Sequence, residues 1–143
     1  MSLVKLKVHI IFSTKHRLPL LEYRFLQKLR KHIRMNCKDK NIKLLEVNGH
    51  EDHIHCLVSL GATQTISKVA QLIKGESSSW VNHNDLISDS FYWQREYAAF
   101  SISNSEVKKV INYIRNQKQI HLKRTFDEEL TALKEYHLKL KSI

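Results

Sequence analysis

The chain has 143 residues, 42% of them hydrophobic, which suits one ordinary domain with its own core and excludes a disordered segment. Lys and Arg number 24 against 14 Asp and Glu, a net charge of +10, and that excess favours a polyanionic partner, most simply nucleic acid. The two cysteines form no CxxC pair and no disulfide framework, no apolar run is long enough to span a membrane, and Lys5 and Lys7 interrupt any signal-peptide pattern, so the expectation is a cytoplasmic protein without a membrane partner.

Residues 4–12 alternate Val4, Leu6, Val8, Ile10 and Phe12 against Lys5, Lys7, His9 and Ile11, the pattern of a half-buried strand. Residues 13–19 read as a basic loop ending at Pro19. Leu21, Phe25, Leu26, Leu29 and Ile33 recur at helical spacing, which predicts an amphipathic helix over 20–40. A second strand is expected at 42–47, and Asn48-Gly49 is the signature of a tight hairpin turn. The third strand follows directly, pairs antiparallel with the second and ends near Gly61. Within it Ile54, Cys56 and Val58 point into a core, while His53 and His55 share the opposite face with their rings side by side.

A second helix is expected at 65–80, with Ile66, Val69, Ala70 and Ile73 on its apolar face. Gly75 and the serines Ser77, Ser78 and Ser79 weaken its end. An aromatic-rich stretch at 91–101 leads into a fourth strand around 97–102. Ser103 and Glu106 have capping-box spacing, opening a helix whose stripe is Val107, Val110, Ile111 and Ile114. A second box, Thr125 with Glu128, opens a last helix bearing Phe126, Leu130, Leu133 and Leu140. The order βαββαβ predicts an α+β fold: a ferredoxin-like antiparallel sheet with helices on it and a C-terminal helical extension. One domain over 1–143 accounts for the chain.

Two imidazoles side by side on a strand are half of a divalent-metal site. On a helical wheel at about 100° per residue, Tyr113 and Gln117 fall together on a flank of the apolar stripe, one turn apart. A phenol oxygen can attack a phosphodiester in line and stay attached to the phosphate, while a divalent cation polarises that phosphate. His53, His55 and the amide oxygen of Gln117 would supply three ligands. That set admits Mg²⁺ or Mn²⁺, and suits Mn²⁺ better because imidazole binds Mg²⁺ weakly. Each residue alone is a weak sign, since a lone His pair is more often structural and a lone tyrosine more often packs. The weight lies in their combination.

Four segments, in order, carry a resemblance: residues 9–17; Asp52-His53-Ile54-His55 with Leu57 and Val58; residues 93–103; and Tyr113 to Gln117, with 121–126 beyond. Together they resemble the small single-tyrosine HUH transposases, the TnpA-type enzymes of the simplest bacterial insertion sequences. The resemblance spans nearly the whole chain; Glu51 stands where that family usually has proline. It implies that Tyr113 is a nucleophile forming a 5′-phosphotyrosyl bond to single-stranded DNA, and that His53, His55 and Gln117 hold the metal. It implies, too, a homodimer with shared active sites that recognises imperfect DNA hairpins and cuts and rejoins strands. Lys15, Arg17, Lys74 and Arg95 are the expected DNA contacts. Asp52 either orients a histidine or merely ends a turn. Two rivals remain: a non-catalytic hairpin-binding module that stacks bases on Phe91, Tyr92 and Trp93, and a repeat-associated domesticated relative that cuts hairpins dispersed in a genome.

Overall fold

Alternating segments of the chain assemble into one antiparallel sheet in the computed structural model, which describes residues 3–141 and side chains through Lys139. The core contact expected of Leu140 lies outside the described side chains. The strands are β1 (Leu6–Ser13), β2 (Lys43–His50), β3 (His53–Leu60) and β4 (Ala98–Ile102). Their spatial order is β2-β3-β1-β4 with every neighbouring pair antiparallel, the ferredoxin-like arrangement. The helices are α1 (Tyr23–Asp39), α2 (Ile66–His83), α3 (Val107–Arg115), α4 (Gln117–Ile120) and α5 (Phe126–Lys141). No described helix is long and apolar enough to cross a membrane.

The helices divide between the two faces of the sheet. On one face Val8, Ile10, Phe12, Val47, Ile54, Cys56 and Val58 form a continuous core with α1 and α2. Leu26, Leu29 and Ile33 come from α1, and Val69, Ala70 and Ile73 from α2. Both cysteines are buried and unpaired. Glu22 caps α1 by accepting from the amides of Arg24 and Phe25 at 3.0 and 3.3 Å. Thr65 does the same for α2 through Lys68 at 3.1 Å. Helix α2 runs past Gly75 and the serines to His83, and the Ser77 hydroxyl donates to the Ile73 carbonyl at 2.6 Å.

The other face is covered by α3, α4 and α5, which corrects the half-buried reading of β1: His9 and Ile11 are only 1% and 2% exposed. The hairpin turn is also displaced. Asn48 and Gly49 lie inside β2, and the chain turns at Glu51 and Asp52 instead. The carbonyls of those two residues accept from the amides of Leu21 and Thr14 at 2.9 and 2.8 Å, so the neighbouring loop pins the turn there. Gly49 is required for a different reason. A Cβ at that position would lie 2.1 Å from the His53 carbonyl oxygen.

Of the two capping boxes, only the second forms. Thr125 and Glu128 exchange bonds of 3.0 and 3.2 Å. Ser103 makes no such bond; a short 3-10 turn over Asn104–Glu106 leads into α3 instead. The expected single tyrosine helix is broken at Asn116, so Tyr113 lies in the last turn of α3 and Gln117 opens α4.

Candidate active site

Strand register builds the site. In the β1–β3 pair Ser13 faces His53 and Ile11 faces His55, and cross-strand partners share a face. His9, two residues before Ile11, therefore joins the histidine face. Both His53 and His55 are fully buried. Each has its Nδ1 held from behind: His53 Nδ1 donates to Asp52 Oδ1 at 2.8 Å, and His55 Nδ1 lies 2.8 Å from His9 Nε2. Asp52 is thus an orienting partner, and both Nε2 atoms are aimed inward.

The helices supply the opposite wall. Gln117, also fully buried, brings Oε1 to 3.0 Å from His53 Nε2. Glu129 of α5 brings Oε1 to 3.1 Å from His53 Nε2 and 3.2 Å from His55 Nε2. Its Oε2 accepts from the Tyr113 hydroxyl and from Gln117 Nε2, the latter at 2.9 Å. The Tyr113 ring sits 5.9 Å from the His55 ring and 6.2 Å from that of His9, edge-on to both. His121 closes the cluster, with Nε2 3.1 Å from Gln117 Oε1 and 3.0 Å from Glu129 Oε1.

The donor set fits a divalent cation. The ligand atoms of His53, His55 and Glu129 all lie within 4.8 Å of one another. Asp52 and the Arg124 carbonyl accept only, so they fix the Nδ1 hydrogens of His53 and His121. With one hydrogen on Nδ1, the Nε2 of each ring would point a lone pair at the oxygens of Gln117 and Glu129. Lone pairs facing lone pairs call for a cation between them, a proton or a metal.

Electrostatics agree with this picture. For Glu129 burial works against the charge, but the bonds from His121, His53 and His55 hold its carboxyl well below the usual carboxylate range. For His53 burial is outweighed by the bonds to Asp52 and Glu129, and its pKa is raised. For His55 burial prevails and lowers the pKa to about 4. Burial, followed by the bond to the Glu129 carboxylate, raises the Tyr113 pKa, so the phenol keeps its proton near neutrality.

The expected DNA contacts lie in separate segments: Lys15 and Arg17 in the turn after β1, Lys74 on α2 and Arg95 in the loop before β4. Lys15 is exposed with its Nζ 5.7 Å from the Tyr92 ring. Lys74 donates to the Arg95 carbonyl at 2.8 Å and lies 5.8 Å from the Tyr97 ring, while Arg95 itself is exposed. Arg17 is already engaged: it pairs with Asp127 and lies over the Phe126 ring at 4.7 Å. Phe91 and Trp93 belong to the core, leaving Tyr92, at 55% exposure, as the solvent-facing aromatic of the three.

Residues 2–117 match the family described as Transposase IS200 like, and the chain belongs to that family. It is 27% identical over 116 residues to the transposase for insertion sequence element IS200 of Salmonella typhimurium strain LT2. That match covers 78% of this chain and 76% of the relative. The corresponding Salmonella typhi transposase gives the same figures. Among solved structures, a candidate transposase from Deinococcus radiodurans R1 superposes with a TM-score of 0.66 at 21% identity, over 81% of this chain and 93% of the other. A REP-associated tyrosine transposase bound to a REP hairpin superposes with a TM-score of 0.61 at 18% identity, over 85% of this chain and 71% of the other. These two likenesses support the fold, a four-stranded antiparallel sheet with helices packed on it.

Proposed function

We propose that this transposase cuts and rejoins single-stranded DNA at hairpins through a 5′-phosphotyrosine on Tyr113. One observation carries the reading. The hydroxyl of Tyr113 bonds to the same carboxylate, Glu129, that both buried histidines face. The Tyr113 oxygen attacks the phosphorus and the bond from phosphorus to the 3′-oxygen breaks. The phenol proton passes to water, and the departing 3′-oxygen takes a proton from water. The phosphotyrosine retains the energy of the broken phosphodiester, so a 3′-hydroxyl can reverse the step and join strands without a nucleotide cofactor. His53, His55 and Glu129, with Gln117 beside them, would hold Mg²⁺ or Mn²⁺. Such a cation supplies polarisation of the scissile phosphate and charge stabilisation in the transition state.

Access is provided by a groove of about 790 Å³ between β4, α3 and α5 that reaches the Tyr113 ring, with Lys109, Arg124 and Lys134 along it. Hairpin DNA is the proposed substrate, in keeping with the REP hairpin bound by the REP-associated neighbour. A repeat-associated role would use the same chemistry on dispersed hairpins. Burial of Phe91 and Trp93 weighs against the purely stacking, non-catalytic alternative. The active form is proposed to be a homodimer in which α3 crosses to the partner's sheet, so that the sites are shared.

The nucleophile is tested by Tyr113→Phe. The ring is retained, so hairpin binding should stay near wild type while cleavage and covalent adduct disappear, a loss of at least about a thousandfold. Cleavage by the phenylalanine variant would overturn the reading.

A further inference from the structure

The second strand carries a defect that bears on the tyrosine helix. Leu44 pairs with Val58 and Glu46 with Leu57, which leaves Leu45 as the extra residue of a β-bulge. A bulge shifts the side-chain alternation by one residue. Ile42 and Leu44 pack on the α1–α2 core, and regular alternation would put Glu46 and Asn48 beside them. Instead Val47 takes the core position, and Glu46 and Asn48 bond to α3.

Asn48 lies opposite His55 in the β2–β3 register. Its Nδ2 donates to the carbonyls of Ile114 and Arg115 at 3.0 and 3.1 Å. These are among the last carbonyls of α3, which a helix end leaves without intrahelical partners. Glu46, its side chain 3% exposed, accepts from Arg115 Nε at 2.6 Å. The same carboxylate pairs with Arg34 and, at 3.7 Å, with Arg30, both on α1. The two residues thus grip the break between Tyr113 and Gln117 from the strand next to the histidines.

We propose that Asn48 and Glu46 are positioning residues, which clamp the end of α3 to β2 and thereby set the Tyr113 hydroxyl and the Gln117 side chain against His53 and His55. The inference rests on Tyr113 being the nucleophile. Asn48 acts on backbone carbonyls, so the clamp serves equally for a helix from the same chain or from a partner. It matters for rate because a displacement of about 1 Å at a nucleophile can cost about a hundredfold.

The test measures single-turnover adduct formation, hairpin affinity and melting temperature on the full chain. Asn48→Asp keeps the side-chain size but replaces the donor with an oxygen facing two carbonyls. Arg115→Ala removes a largely exposed side chain and leaves the core intact. Each should slow adduct formation by about 10–100-fold while hairpin affinity stays near wild type. Arg115→Lys should recover part of that loss, and adding Glu46→Gln to Arg115→Ala should cost little more than either alone. Wild-type rates in Asn48→Asp and Arg115→Ala would overturn the clamp. So would a rate loss matched by falling hairpin affinity and melting temperature, which is damage to the fold. Tyr113→Phe in the same assay separates the two ideas: if it cuts, the nucleophile reading fails, and if it is inactive beside fully active clamp variants, only the clamp fails.

Discussion

Glu129 is the acceptor on which an imidazole pair, an amide and a phenol converge, and its charge should dominate cation binding. A neutral amide is a weak ligand that water can replace, whereas the number of charged ligands tunes divalent affinity. In calorimetric titrations with Mn²⁺, His53→Ala and His55→Ala should abolish binding. Glu129→Gln should weaken it by at least about tenfold, and Gln117→Ala by less. Cleavage should follow the same order and vanish in EDTA. Cleavage that persists in EDTA, or Mn²⁺ affinity unchanged in Glu129→Gln, would remove the metal centre from the proposal. Glu129 hides in an acidic first turn, Asp127-Glu128-Glu129, of the kind that usually serves the helix dipole. One signal points to it: position 129 falls within the apolar spacing of Phe126, Leu130 and Leu133. His9 hides differently, because the β1–β3 register needed to place it beside His55 is a long-range fact.

At the scale of elements, β2 decides how α3 is held, and acid should loosen that hold. Burial works against the Glu46 charge, but the bonds from Arg115, the Val47 amide and Arg34 lower its pKa below the ordinary 4.5. The folded state therefore releases this proton more readily than the unfolded chain. The stabilisation is complete above about pH 4.5 and is lost as the pH falls through the folded value. Glu46→Gln should cost about 1–2 kcal/mol at neutral pH, below the usual figure for breaking a buried pair because Arg34 and Arg115 are 43% and 62% exposed. Denaturant unfolding across pH checks this: the gap between wild type and variant should close below pH 4.5, and a gap of constant size would contradict it. Strands β1 to β3, α1 and α2 were legible from periodicity because each buries an apolar face. The Asn48-Gly49 turn and the Ser103 box were misread because both depend on partners elsewhere. Bonds from Thr14 and Leu21 fix the real turn, and a 3-10 turn takes the place of the box. No local pattern announces the bulge at Leu45, since a single extra residue shows only against its partner strand.

At the scale of the molecule, one sheet separates an apolar layer from a chemical one, and the chemical layer is made by the last third of the chain. The short turn over Asn104–Glu106 is the connection between β4 and α3, and everything beyond it meets the sheet through a few side chains. A segment joined by one short connection can be exchanged between two copies while each contact is kept, which is a low-cost route to a symmetric dimer. The proposed shared-site homodimer would correspond to that exchange, with Asn48 and Glu46 of one subunit gripping the helix of the other. Mixing inactive Tyr113→Phe protein with inactive His53→Ala protein under conditions of subunit exchange tests it. In an exchanged heterodimer, the site that takes its histidines from the Tyr113→Phe chain takes its tyrosine from the His53→Ala chain and is intact. Its other site lacks both groups. Activity should therefore return to about a quarter of the wild-type level in an equimolar mixture, since half of the dimers are mixed and each carries one working site. Without exchange, every site in the mixture lacks a histidine or a tyrosine and no activity returns. Verified heterodimers that stay inactive would reject shared sites, and a monomer at assay concentration would reject the dimer as well. Neither result would touch the role of Tyr113, which the single-chain geometry supports on its own.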